Sequence, residues 1–226
     1  ITMNQMTVQD TWATDGNTKA LCEVMGMGCE TDAYDPMEKA MLKHCKILGF
    51  SNEYLFGGEM IREYAFTNEL KMMGHIWRRD DGITIAAKGS PERILAICEL
   101  TNLEKQVAEQ KITEMSKQGL RVIAVATAKP QSEAEVPAQI TDCRLTLCGL
   151  IGLADPPRES VKADIAVCNK AGIRVVMITG DNGITAASIA KKIGMQNSDH
   201  IITGDMLNEM TDEELREKVK DVSIFS

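Results

Sequence analysis

The chain has 226 residues, 44% hydrophobic and 26% charged, enough for one large domain or two ordinary ones. A net charge of -8 with basic residues dispersed among acids excludes a clustered basic surface for nucleic acid. No run of about 18 apolar residues and no basic-apolar leader is present, so a soluble, non-membrane-inserted chain is expected.

Seven cysteines without a C-x-x-C pair fit a reducing compartment, and histidines scattered at 44, 75 and 200 predict no metal site. The chain opens without Met and ends on a strand-like run, Val222 to Ser226, which predicts a piece of a longer protein.

Met6, Val8 and Trp12 alternate with Thr7, Gln9 and Thr11, predicting a strand within residues 3–12. Asp15 to Asp32 is polar, glycine-spotted and aperiodic, and is expected to be a long surface excursion. Asp35-Pro36-Met37-Glu38 then opens a helix, with Asp35 as N-cap, Pro36 in the first turn and Met37, Met41, His44, Cys45 and Leu48 facing inward. Glu38 suits a capping box, a ligand contact, or both.

Strands are expected at 60–66, 72–78 and 83–87, the last two closed by Asp81-Gly82. Arg78-Arg79 precedes two acids and reads as a solvated hairpin tip. The third strand runs into Lys88-Gly89-Ser90-Pro91-Glu92, where Ser90 and Pro91 start a helix and set Lys88 against its positive end. A cation there is unfavourable unless an anion intervenes; one phosphate at ~4 Å would return about 4 kcal/mol at an effective dielectric near 20. The other reading is a lysine whose head reaches water.

A helix over 102–118, with Leu103, Val107, Ile112 and Met115 inward, ends at Gly119, and a central strand follows over 120–126. Arg121 at its start is a surface charge or a phosphate clamp. A loop over 129–142 leads to a strand over 145–153. At Asp155-Pro156-Pro157-Arg158 the two prolines end that strand and set a new direction.

Beyond it strand and helix alternate: a helix over 159–171, then Ile173 to Ile178 as a doubly buried strand delivering Thr179, Gly180 and Asp181 to a ligand mouth. Ala186, Ile189, Ala190 and Ile193 mark the next helix. A short strand near Ile201, a helix from Thr211 with Glu214 as capping partner, and a final strand complete the pattern. The hairpin-rich part before 155 reads as α+β and the part after it as α/β.

With these residues in place the chain resembles the cytoplasmic part of a P-type cation-transporting ATPase, of the calcium or sodium/potassium branch. Ile1 to Val8 is similar to the segment after the family's phosphorylated Asp-Lys-Thr-Gly-Thr motif. Lys88-Gly89-Ser90-Pro91-Glu92, Asp155-Pro156-Pro157-Arg158 and Thr179-Gly180-Asp181-Asn182 resemble three further signatures in family order.

The resemblance implies an α+β nucleotide-binding domain over 5–154, an antiparallel sheet with flanking helices. It would join a truncated α/β, HAD-like (Rossmann-like) phosphorylation domain made of a 1–4 stub and 155–226. Linkers would cross near Asn4-Gln5 and at Asp155, Pro156 and Arg158. It also implies ATP as ligand: adenine on Phe66, approached by Glu38 and Lys71, with Lys88 and Gly89 lining the pocket. Arg121 would reach the phosphates, and Thr179, Gly180 and Asp181 the γ-phosphate. Asn68 departs from the arginine of some members.

In the full-length enzyme the resemblance implies Mg2+, transmembrane and actuator domains as partners, a cytoplasmic position beside a membrane, and cation transport with calcium as first choice. The phosphate-accepting aspartate and the main Mg2+ ligands are expected outside this chain, which should bind ATP without turning it over. Two other readings stay open: a stand-alone nucleotide-binding regulatory module, and a HAD-like phosphatase using Asp155.

Overall fold

The computed structural model describes residues 2, 3 and 5–226 and divides the chain into two units. One comprises Met6–Thr113 and Val122–Leu153; the other groups Ile1–Gln5, Glu114–Arg121 and Ala154–Ser226.

The larger unit begins with β1 (Thr7–Ala13). Next comes α1 (Thr18–Met27), where a long surface excursion was expected. Asn17 caps this helix by accepting from Ala20 N, and Leu21, Cys22 and Met25 bury one stripe. Its periodicity is masked in sequence because glycine and cysteine occupy packing positions. A Cβ at Gly26 would lie 2.7 Å from Leu55 Cδ1 and 3.0 Å from Cys45 Sγ, so glycine sets how closely α1 packs.

The predicted cap of α2 (Pro36–Ile47) is present, with Asp35 accepting from Met37 N and Glu38 N. The short α3 (Asn52–Leu55) leads to β2 (Glu59–Tyr64), β3 (Met72–Arg79) and β4 (Gly82–Gly89). β2 stops at Tyr64, so Phe66 falls in the connection rather than in the strand. Met72 to Trp77 and Thr84 to Gly89 are buried at every position, so both faces of these strands are covered.

After α4 (Pro91–Ala96) and α5 (Asn102–Lys117) come β5 (Arg121–Ala128) and β6 (Thr146–Ala154). Met115 is buried as expected and Ile112 half-buried, but Leu103 and Val107 point outward at 70% and 40% exposure, and Ala108 takes the inner face in their part of α5. The sheet order is β1-β6-β5-β4-β3-β2, with β2 to β5 antiparallel in sequence order. α1 and α2 pack a core of Leu21, Met25, Met41, Cys45, Trp77 and Val125 against one face.

The smaller unit contains α6 (Glu159–Lys170), β7 (Met177–Ile178), α7 (Gly183–Lys192), β8 (Ile201–Ile202), α8 (Gly204–Glu209), α9 (Asp212–Lys218) and β9 (Ile224–Phe225). Its sheet is parallel in the order β7-β9-β8. The strand expected over 173–178 is correct only at its last two residues. β7 is an edge with Ile178 82% exposed, so the expectation of a doubly buried strand fails for want of a neighbour on that side. A small core of Val161, Ile165, Met177, Ala186, Ala190 and Ile224 holds the unit together. Thr211 and Glu214 form the expected capping box.

Candidate functional site

One end of the larger sheet collects most of the polar residues singled out above. Tyr64 pairs with Gly74, Met72 with Gly89, and Gly89 with Ala124, so the chain leaves β2, enters β3, leaves β4 and enters β5 at that same end. The β2–β3 connection carries Phe66, 54% exposed, and a turn in which Thr67 O accepts from Lys71 N at 2.8 Å. Lys71 has φ +52, a left-handed conformation uncommon for a non-glycine residue, and its carbonyl accepts from Ser90 N at 2.8 Å.

Gly89 lies inside this crossing. A Cβ there would sit 2.6 Å from Lys71 O and 2.5 Å from Met72 Cβ, which explains the glycine between Lys88 and Ser90. Ser90 caps α4 by its backbone position only: its hydroxyl makes no cap bond and is buried without a partner.

Lys88 is where the sequence argument needs correction. Its head was expected to face an external anion or open water, and it is instead buried against groups of the protein. Lys88 is 5% exposed, with Nζ 2.6 Å from Glu38 Oε1, 2.5 Å from Gly28 O and 3.1 Å from Met73 Sδ. The anion that offsets the cation is thus a carboxylate of the protein itself.

The physical reason is strand parity. Lys88 pairs with Met73 and shares the sheet face that α1 and α2 cover, so its side chain runs under those helices. Glu38 is 6% exposed and forms no capping box; its Oε1 accepts from Lys88 and from Glu30 N at 3.3 Å. The Gly28 carbonyl and Glu30 amide are backbone groups, invisible to a search for site side chains. Burial pushes the neighbouring Cys29 thiol up to about 12, against the pull of the Lys88 charge.

In the smaller unit, Gln5 N donates to Asp155 Oδ1 at 3.0 Å and Met3 N to Pro156 O at 3.0 Å, with Thr2 bridged to Pro157. The two stretches proposed as linkers therefore run side by side, apart from Asn4, which lies outside the described residues. Asp155 holds a backbone amide with its carboxylate, while Arg158 precedes α6 without a side-chain cap bond.

At the end of β7, Thr179 Oγ1 donates to Asp181 Oδ2 and accepts from Asp181 N, both at 3.1 Å, and Asn182 caps α7. Gly180 is exposed and a Cβ there would meet nothing within 4 Å. Arg121 Nη2 lies 3.8 Å from Asp181 Oδ1. These two residues share the smaller unit, so the guanidinium reaches the polar turn after β7.

Comparison with known proteins agrees with this architecture. The family model described as P-type ATPase, cytoplasmic domain N, matches residues 30–160. A calcium-transporting ATPase 1 of Lactococcus lactis is 33% identical over 258 residues, covering 100% of this chain and 29% of that protein. A calcium-transporting ATPase of Bacillus subtilis is 36% identical, covering 85% of the chain and 23% of the relative. The sodium/potassium exporting P-type ATPase cta3 of Schizosaccharomyces pombe is 32% identical, covering 88% and 22%.

The chain thus spans about a quarter of the length of the curated relatives it matches. Among the described residues no helix is long and apolar enough to cross a membrane. A family model that matches more than half of the chain, with relatives 32–36% identical over most of it, places this chain in the P-type cation-transporting ATPases, residues 30–160 matching the cytoplasmic domain N.

Proposed function

We propose that the larger unit binds ATP at the sheet end that carries Phe66, Lys71 and Gly89, and that it does so as part of a cation pump, calcium being the cargo. The observation that carries this reading is an exposed aromatic ring beside a left-handed lysine turn within the segment matched to domain N. Phe66 offers a face for adenine, and stacking of this kind contributes about 1–3 kcal/mol per base. Lys71 supplies an exposed cation beside it.

Lys88 and Glu38 support the site from beneath, since their pairing fixes the floor on which β4 turns into α4. The smaller unit is proposed as part of a HAD-like phosphorylation domain. There Thr179 and Asp181 would meet the terminal phosphate, with Arg121 steadying its charge.

In the whole protein, ATP hydrolysis through an aspartyl phosphate would drive transport, on the cytoplasmic face of a membrane and together with transmembrane and actuator domains. Mg2+ bound with the nucleotide would neutralise phosphate charge, and such ions rest on one or two carboxylates plus phosphate oxygens. Asp181 fits as one such carboxylate but is the only acid in the turn at 179–182. On this reading the chain binds ATP without hydrolysing it.

Calorimetric titration of ATP into the wild-type chain and Phe66→Ala tests the reading, since an exposed ring can be removed without disturbing the core. The expected loss is about 5- to 150-fold in affinity, the equivalent of about 1–3 kcal/mol. Equal affinity in the two proteins would refute stacking on Phe66.

A further inference from the structure

We propose that Glu30, Glu63 and His75 form a binding site for a divalent transition metal, with Zn2+ the ion that best fits the donors. Their ligand atoms all lie within 4.8 Å of one another. Glu63 on β2 stands directly opposite His75 on β3, which puts both side chains on one sheet face, and Glu30 comes from the segment after α1. The three positions form no sequence motif, and only strand register brings them together.

The second observation concerns the histidine alone. His75 is 0% exposed, and its Nε2 is buried without a hydrogen-bond partner. Its Nδ1 lies 3.2 Å from Met27 O, an acceptor that also takes Trp77 Nε1 at 2.8 Å. A carbonyl can only accept, so Nδ1 donates to it and Nε2 is the ring atom that faces the carboxylates.

Glu30 Oε1 is 3.9 Å from Nε2, too far for a hydrogen bond. Two carboxylates converging on one buried ring nitrogen repel each other, and a cation among them offsets that repulsion. One imidazole nitrogen and two carboxylate oxygens, with a fourth position open to water, form a Zn2+ donor set. The carbonyl behind Nδ1 is the outer contact that orients a metal-binding imidazole. Glu30 is itself anchored by its amide on Glu38 Oε1 at 3.3 Å, so the site adjoins the buried ion pair. No cysteine belongs to the group of converging ligand atoms, so the donor set is nitrogen and oxygen alone.

The metal-free chain should be titrated with Zn2+ alone by calorimetry and with Co2+ alone by absorption spectroscopy. One ion per chain is expected, with a Co2+ spectrum lacking thiolate charge-transfer bands. Glu30→Gln and Glu63→Gln should each weaken binding at least about tenfold with unchanged circular dichroism, and His75→Gln should abolish it. If His75→Gln fails to fold, Glu63→Gln decides, because Glu63 is exposed. Absence of stoichiometric binding, unchanged affinity in both glutamine variants, or a thiolate spectrum would overturn the site. So would NMR showing a doubly protonated His75 ring at neutral pH that ignores added Zn2+.

Discussion

The larger unit is built on six strands with positions buried for six residues running, whereas the smaller one rests on three strands of two residues each. The first can hold an ion pair in its interior, because α1 and α2 cover the sheet face on which the pair lies. The second keeps its polar groups at an open edge, where Ile178 is 82% exposed and Asp181 is half-buried. The difference teaches that charge is held in unlike ways in the two places: Lys88 and Glu38 neutralise each other in the interior, while Thr179 and Asp181 bond to each other in a half-buried turn.

Breaking the buried pair should give the largest effect. Lys88→Met leaves the Glu38 carboxylate buried with only the Glu30 amide as partner, and loss of one member of such a pair costs about 3–5 kcal/mol. Urea unfolding followed by Trp77 fluorescence should report that loss in the larger unit. Adding Glu38→Met should restore most of it, since replacing both charges by apolar groups removes the uncompensated one. If the single and double variants are equally unstable, the pair does not act as a unit. Reduced ATP binding by Lys88→Met therefore says little about direct contact, which is why the exposed Phe66 is the better probe.

The same contrast decides what could be read in the sequence. The hairpin β3–β4, the α2 cap at Asp35, the Pro91 helix start and the Thr211 capping box follow from local chemistry, and each was legible. α1 was hidden, because Gly26 and Cys22 pack as core residues without an apolar signature. The partner of Lys88 was also hidden, since Glu38 lies 50 residues away and strand parity decides which face a side chain takes. Val175 and Val176 look like a strand in sequence, yet a strand needs a neighbour to pair with, and β7 pairs with β9 only over Met177 and Ile178.

Raising the pH should separate the units next. Burial pushes the Cys22 thiol from 9.0 up to about 11 and the Cys29 thiol up to about 12, both in the α1 region of the larger unit. Above pH 9 the unfolded chain releases these protons while the folded chain retains them, so stability present below pH 9 falls as the pH rises toward 11. A flatter profile over that window is expected for Cys22→Ala/Cys29→Ala, and an unchanged slope would show that these thiols do not carry the alkaline sensitivity. In the smaller unit the only cysteine is Cys168, which is half-buried, so this source of alkaline sensitivity belongs to the larger unit.

The smallest effects should come from the helix caps, and they test whether cooperativity differs between the units. Asp35→Ala removes the acceptor for Met37 N and Glu38 N, and Thr211→Ala removes the box with Glu214; each costs about 0.5–2 kcal/mol. α2 is packed into the main core, so its lost cap should shift the midpoint of the whole larger unit. α9 buries no residue, so its lost cap should fray only Asp212 to Lys218, seen as faster amide exchange there with no change in the global midpoint. A global shift from Thr211→Ala would mean that α9 is tied into the smaller core more tightly than its exposed faces imply.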